Sequence, residues 1–315
     1  MSITVVAPGM LTTVQDQGRT GYQQYGMPVS GAVDLRAAAV ANILAGNDQN
    51  EAVLECTLLG PRLKFERANC VAVTGGDLGL TVDGSPVPTY RAFRVEAGQV
   101  LGFTAPVSGC RAYIAFSGGL DIPVVMGSRS TYIKAGIGGF GGRKLQKGDV
   151  IAFRSPVETL KNMASRAIAP EFLSRKEYVL RAIPGPQDDC FTRAGIDTFF
   201  GGIYTVTAEF DRMGCRFEGD VIEHKNSADI ISDGISLGAI QVPASGKPIM
   251  MLSDRQTTGG YAKIANVITA DMRIAAQLKQ GDKVRFEKVS VEDARQALLA
   301  QRAALSLLQT AVAPR

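Results

Sequence analysis

Between Ser232 and Asp271 the chain sets Gln241, then Asp254, Gln256, Thr257 and Thr258, then Gly259, Gly260 and Tyr261, among short apolar strands. Carboxylate, amide and hydroxyl groups at this density offer directed hydrogen bonds to a small polar ligand. Strands that only pack have no need of them. The paired glycines allow close backbone approach. Asp254 offers a carboxylate for moving a proton or for orienting a base. A bulged turn of threonine and glycine is the competing reading, and the floor of a ligand site is the stronger one.

Other positions carry weaker signals. Glu55 stands in the apolar run AVLECTLLGP, where an acid is costly unless it is paired or solvated in a cleft. Arg212, with Met213, Gly214, Arg216 and Glu218, makes a charged turn inside strands, slightly better read as a surface bulge. The run Gly136 to Gly142 formally contains G-x-G-x-x-G, but no amphipathic helix follows it, so a dinucleotide site is not expected. Its glycines, flanked by Lys134, Arg143 and Lys144, suit either an anion cradle of backbone N–H groups or a surface loop. Ser245-Gly246-Lys247-Pro248 lacks the spacing of a phosphate loop and reads as a hairpin turn.

Composition narrows the chemistry. A single histidine, His224, and no G-x-S-x-G elbow argue against a Ser-His-Asp triad and against a histidine-rich metal site. The net charge of +4 is scattered, with none of the concentrated basic stripe that nucleic acid requires. Five widely spaced cysteines without a C-x-x-C pair fit a reducing, cytoplasmic setting. The N-terminal residues do not form a secretory signal, and no apolar run reaches the roughly 18 residues that span a bilayer.

The elements that must position these groups are mostly strands. Abundant glycine, no tryptophan and runs such as ITVVA, RLKFE, CVAVTG and RAYIAF point to a mainly β chain with a few short helices. Alternation lapses between Arg154 and Tyr178. The expected organisation is therefore a β domain over 1–155, a connection over 156–178 and a second β domain over 179–289. A C-terminal helix and tail over 290–315 follow, with Ser290 as N-cap, Asp293 as its capping-box acid and a stripe of Val291, Ala294, Leu298, Leu305 and Leu308. A weak echo links Asp16–Tyr22 and Asp34 with Asp254–Tyr261 and Asp271, each an Asp-to-Gly-Tyr turn before an Asp-capped helix.

The strings LTTVQDQGRTGY, NCVAVTGGDL, KAGIGGFGGR, IPGPQDD, DRMGCRFEG, IQVPASGKPI and SDRQTTGGY, in this order, resemble the 5-oxoprolinase C-subunit family. That family belongs to a wider biotin-dependent carboxyltransferase group, which includes allophanate hydrolase subunit 2 and an antagonist of a sporulation-kinase inhibitor. Ala262 departs from the family, which usually carries proline after the tyrosine. The resemblance implies two cyclophilin-like β-barrel domains and a heteromeric hydrolase. In that hydrolase the 5-oxoprolinase B subunit is the direct partner of this chain, and the reaction is finished by the A subunit. The implied reaction opens 5-oxo-L-proline to L-glutamate with ATP hydrolysis, with Mg accompanying ATP and no biotin required.

Phosphate activation of a lactam calls for cations around phosphate and hydrogen bonds around a small amide. Lys134, Arg143, Arg19, Gly138 and Gly139 are the candidates for the first role. Gln241, Gln256, Thr257, Thr258, Gly259, Gly260, Tyr261 and Arg212 are the candidates for the second, with Asp254 and Glu55 handling protons beside a catalytic Lys134. Two alternatives remain open. One is biotin-dependent carboxyl transfer to a urea- or allophanate-type amide, and the other is non-catalytic sequestration of a kinase inhibitor.

Overall fold

The computed structural model describes residues 2–172 and 177–313. The chain divides into two compact units, Met1–Arg19 with Ser30–Ser174 and Ala303–Arg315, and Thr20–Val29 with Arg175–Arg302. The boundary at 174/175 lies outside the described residues. Two segments are exchanged in sequence: residues 20–29 belong to the second unit, and the last turns of the C-terminal helix to the first.

The first unit contains β1 (Ser2–Ala7), β2 (Leu11–Gln15), α1 (Leu35–Leu44), β3 (Val53–Thr57), β4 (Arg62–Phe65), β5 (Asn69–Asp77) and β6 (Leu80–Val82). It continues with β7 (Ser85–Pro86), β8 (Ala92–Val95), β9 (Val100–Phe103), β10 (Ser108–Phe116) and β11 (Val150–Ala152). They form two sheets, in the orders β11-β1-β4-β9-β6-β7 and β2-β3-β10-β5-β8. One core joins both sheets through Ile3, Val5, Leu54, Leu63, Val73 and Ile114, with Phe65, Phe116 and Phe153 tilted together at centroid separations of 5.7–6.1 Å. Helix α1 is alanine-rich and buried from Ala37 to Leu44, so it lies close on Val53, Ala72, Tyr113 and Ala115. Asp34 caps it, accepting from Ala37 N at 2.8 Å.

A buried carboxylate ties the end of β2 to a distant loop. Asp16 accepts from Ser128 Oγ (2.7 Å), Ser130 Oγ (2.5 Å), Gly18 N (2.8 Å) and Arg129 N (2.6 Å). The loop that precedes the glycine run is thus fixed by one side chain.

The second unit contains β12 (Glu177–Pro184), α2 (Arg193–Gly201), β13 (Tyr204–Phe210), β14 (Gly214–Glu218), β15 (Asp229–Gly234) and β16 (Ala239–Gln241). Then follow β17 (Ile249–Met251), β18 (Thr258–Tyr261), β19 (Lys263–Val267), α3 (Met272–Ala275), β20 (Lys283–Lys288) and the start of α4 (Val291–Val312). Seven strands close a barrel, β12-β19-β16-β17-β14-β13-β20, through the parallel pair β12–β20. Phe199 of α2 stacks on Phe286 at 4.7 Å, and Tyr204 and Phe217 meet the same ring. Strands β15 and β18 pair separately as a two-stranded ribbon.

The capping box forms as expected, with Asp293 N donating to Ser290 Oγ and Ser290 N to Asp293 Oδ2, both at 3.1 Å. The expected stripe is only half used: Leu305 and Leu308 pack against the α1 cluster, whereas Val291 is 69% exposed. The echo of two Asp-capped helices holds at α1 alone. Asp271 makes no cap hydrogen bond, because both its oxygens accept from the Arg181 guanidinium (2.6 and 3.0 Å). All five cysteines are free thiols, and burial raises Cys56 to about 12. No helix among the described residues is long and apolar enough to cross a membrane.

Asp16→Ala strips several buried donors of their acceptor and is expected to destabilise the first unit by about 3 kcal/mol, measured by chemical denaturation.

Candidate functional site

The residues singled out in the sequence fall into two sets, one in each unit. In the second unit, Gln241, Gln256 and Tyr261 line an open cavity of about 380 Å³, together with residues 208–211, Met213, Gly214, Arg216, Ile249 and Met251. Gln241 comes from a barrel strand and is buried, Tyr261 comes from the ribbon, and Gln256 from the loop that enters it.

Gly259 explains how the two amides meet. A Cβ there would lie 2.9 Å from Gln241 Nε2, 3.1 Å from Gln256 Nε2 and 2.7 Å from Ile235 Cδ1. Both carboxamides therefore converge on the space that a side chain would fill. Gln241 Nε2 reaches the Tyr261 carbonyl at 3.5 Å, a long and weak bond, so its hydrogen-bonding capacity remains for a ligand. The convergence of donor and acceptor groups on a half-apolar cavity suits a small neutral amide.

The other second-unit candidates act on the framework. Asp254 does not line the cavity: its oxygens accept from Arg212 Nε and Nη2, both at 3.0 Å, in a pair only 5% and 9% exposed. The structure thus makes Asp254 and Arg212 each other's counter-ion. Thr257 and Thr258 serve the ribbon through their backbones, Thr257 O accepting from Ile235 N at 3.0 Å and Thr258 pairing with Gly234. Gly260 sits in the same strand. Lys247 pairs with Glu218 at 2.6 Å, consistent with a turn. His224 packs on Phe191 (4.7 Å between centroids) and bonds the Val242 carbonyl at 3.0 Å, away from the cavity lining.

Three groups escape sequence reasoning. Arg216 reads in the sequence as part of a surface bulge but lines the cavity, in a salt bridge to Glu209 at 3.0 Å. Lys263, directly after the ribbon, is buried and meets Asp233 of β15 at 3.0 Å, which holds that carboxyl below its usual range. Gln187 also donates to Asp233, at 3.1 Å. A lysine opening the otherwise apolar strand KIANV is the available signal. Arg255 is the third, buried between Asp254 and Gln256.

In the first unit two of the expected phosphate cations, Arg143 and Arg19, are engaged within the fold. Arg143 is clamped to Asp149 through Nη1–Oδ2 (2.7 Å) and Nη2–Oδ1 (2.8 Å) and lies over the Phe140 ring. Arg19 is fully buried and donates to the carbonyls of Val125 (3.2 Å) and Ser130 (2.8 Å). Gly138 and Gly139 have φ of +67° and +55°, and their missing side chains admit Ser130 O and Thr131 Oγ1. Close packing against the Asp16-held loop, and not an open anion cradle, accounts for these glycines. Lys134 is exposed on the turn before that loop. Glu55 is a buried acceptor for Val33 N at 2.8 Å, holding the entry to α1.

With this geometry in place, the comparisons decide the family. A model of the carboxyltransferase domain, subdomains A and B, matches residues 25–288. The chain belongs to this carboxyltransferase-domain family. It is 39% identical over 295 residues to the C subunit of 5-oxoprolinase from Escherichia coli K12, covering 94% of both chains. It is 32% identical over 327 residues to urea amidolyase of Saccharomyces cerevisiae, covering 98% of this chain but 18% of that protein. Among solved structures, the K. lactis urea amidolyase superposes with a TM-score of 0.91 at 30% identity, over 98% of this chain and 20% of the larger one. The carboxyltransferase-domain chain therefore spans a small part of the amidolyases it matches and nearly all of the oxoprolinase subunit.

Two outcomes test the framework roles. Asp254→Asn leaves the Arg212 charge buried without its counter-ion and should lower second-unit stability by about 3–5 kcal/mol, whereas Asp254→Leu with Arg212→Met should recover most of it. Asp149 has its pKa depressed below 3.8, first by the Arg143 hydrogen bond, so its contribution is complete above 3.8 and is lost as pH falls through the folded value. Asp149→Asn should flatten that acid limb in a pH series of thermal melts.

Proposed function

We propose that this chain is the C subunit of a 5-oxoprolinase, acting in the cytoplasm with the A and B subunits of that enzyme to open 5-oxo-L-proline to L-glutamate. The observation that carries the reading is end-to-end correspondence with an oxoprolinase subunit, 94% of each chain at 39% identity. A second 5-oxoprolinase C subunit, from Haemophilus influenzae, is 38% identical over 90% of this chain. The convergence of Gln241 and Gln256 over Gly259 supports the same reading, because a carboxamide pair matches both the C=O and the N–H of a lactam.

In the overall reaction water adds across the ring C–N bond, the carbonyl carbon becoming a carboxylate and the nitrogen an amine. On this reading Gln241 and Gln256 hold and orient the lactam, and Gly259 keeps the space open for it. ATP, when bound, would pass its terminal phosphoryl group to the lactam oxygen with release of ADP, and inorganic phosphate would leave once water had attacked the ring carbon. Of the residues expected to grip its phosphates, Arg143 is clamped to Asp149, Arg19 is buried on carbonyls and the glycine loop is packed, whereas Lys134 is exposed. On this reading a partner subunit contributes to holding the nucleotide.

Carboxyl transfer from carboxybiotin to a urea-type amide is the second reading, favoured by the TM-score of 0.91 to urea amidolyase. The two share a small-amide acceptor and differ in their need for biotin.

The deciding experiment mixes this chain with its two partner subunits, ATP and 5-oxo-L-proline. Glutamate release coupled to ATP loss and dependent on this chain is expected. Release that persists without the chain would remove the oxoprolinase reading, and turnover of urea only with carboxybiotin would install the second. Gly259→Ala should cut turnover more than tenfold while costing about 1 kcal/mol of stability, since its new methyl group meets only the ends of flexible side chains.

A further inference from the structure

Lys263 is a buried ammonium whose counter-ion lies outside the barrel. Its side chain is 3% exposed, and its Nζ meets Asp233 Oδ2 of β15 at 3.0 Å. Among the described residues no other group accepts from that nitrogen. Removing the one carboxylate would leave a buried cation without compensation, so the contact is costly to break. Gln187 reinforces it. Its Oε1 accepts from Lys263 N at 3.3 Å, and its Nε2 donates to the same Asp233 oxygen at 3.1 Å.

The place of this cluster gives it a role. Gln241 and Lys263 are partners across β16 and β19 of the ring, so the ammonium is anchored beside a cavity amide. Asp233 belongs to the ribbon, which pairs with no strand of the ring. Within the ribbon the register shifts between Asp229 and Asp233, leaving residues 230–232 opposite Gly260 alone, and residues 231–234 are exposed. Among the described residues, the polar ties from the ribbon to the barrel side are few. They are the bonds of Asp233 to Lys263 and Gln187, and the 3.5 Å contact of Gln241 with the Tyr261 carbonyl. Yet this ribbon carries Tyr261, which lines the cavity, and Gly259, on whose missing side chain both amides converge.

We propose that Asp233 is a positioning residue of this site, the latch that holds the ribbon where Tyr261 and Gly259 complete the cavity. Asp233 does not line the cavity, so it acts through the ribbon. A ligand that binds only the latched arrangement loses affinity in proportion to the fraction of molecules unlatched, and at saturation it draws the ribbon back. Loss of the latch therefore raises KM and spares kcat. The assignment rests on the oxoprolinase reading only for the amide used to fill the cavity.

The test takes wild type, Asp233→Ala, and Asp233→Ala with Lys263→Met, each in the complex with the partner subunits. Turnover of 5-oxo-L-proline is read beside hydrogen exchange of the ribbon amides, residues 229–234 and 258–261. In Asp233→Ala the expected result is a KM raised about 10- to 100-fold, a kcat within about twofold, and ribbon exchange faster by a similar factor. Exchange in ring strand β17 stays as in wild type. The double variant removes the buried charge, so it regains most of the lost thermal stability while KM stays high and the ribbon stays loose. Recovery of KM together with stability would show that Asp233 only neutralises Lys263, and would overturn the proposal. Unchanged ribbon exchange in both variants, or a loss confined to kcat, would overturn it as well. Calorimetric titration with 2-pyrrolidinone and urea separates the latch from the reading beneath it. A wild-type complex that leaves 5-oxo-L-proline intact but binds either amide in an Asp233-dependent way would uphold the latch and remove the oxoprolinase reading instead. A complex that neither turns over 5-oxo-L-proline nor binds either amide would overturn both.

Discussion

The candidate site depends on one buried ion pair. Taking Arg212 and Asp254 out of water costs several kcal/mol per ion unless geometry restores it. Here two parallel hydrogen bonds of 3.0 Å do so. The backbone follows the same seam: Asp254 N donates to Arg212 O at 2.8 Å and Leu252 N to Met213 O at 2.9 Å. The hairpin after β13 and the loop that carries Arg255 and Gln256 are thereby laced together. Two walls of one cavity come from segments some 40 residues apart in sequence, and this pair sets their register. A hydrophobic pair of equal volume would pack as tightly but would not specify which residue lies opposite which.

That constraint explains why part of the site was legible in the sequence and part was not. A dense run of amide and hydroxyl residues near Gly259 and Gly260 pointed to a segment of which Gln241, Gln256 and Tyr261 line one cavity. The role of Asp254 was not legible. A carboxylate at the edge of a polar run looks the same whether it faces a ligand or an arginine on another strand, and Arg212 is far away in sequence. Arg143 and Asp149 pose the same difficulty at short range. The glycine loop is ambiguous for a different reason. Glycine admits a ligand's phosphate and a neighbouring carbonyl equally well, and at Gly138 the neighbour is Ser130 O.

The fold was legible at the level where local chemistry suffices. Strand content followed from β-branched runs between turns, and the Ser290–Asp293 box from a four-residue signature. Closure of the second unit was not, since the ring depends on the parallel match of Glu177–Ala182 with Lys283–Lys288, about a hundred residues apart. The missing cap at Asp271 shows local and long-range demands in competition. The same residue type that caps α1 is drawn off by Arg181, because a charge-assisted bidentate bond outweighs a single cap hydrogen bond.

The second unit closes its sheet on itself, so the strands of that ring offer no unpaired edge. The ribbon of β15 and β18 is the exception. It lies outside the ring and carries Ile231 at 95% exposure. Asp233, on the same strand, is tied back by buried Lys263 and by Gln187. Gly259 and Tyr261 belong to this ribbon, so the cavity is formed partly by a rigid barrel strand, which supplies Gln241, and partly by an element held by a few polar contacts. One side of the cavity, at Gln241, is thus rigid, and the other, beside Tyr261, is restrained only by those contacts. The ion pairs at Asp254 and Asp233 thus do different work: the first sets where the walls are, and the second holds the ribbon against the barrel.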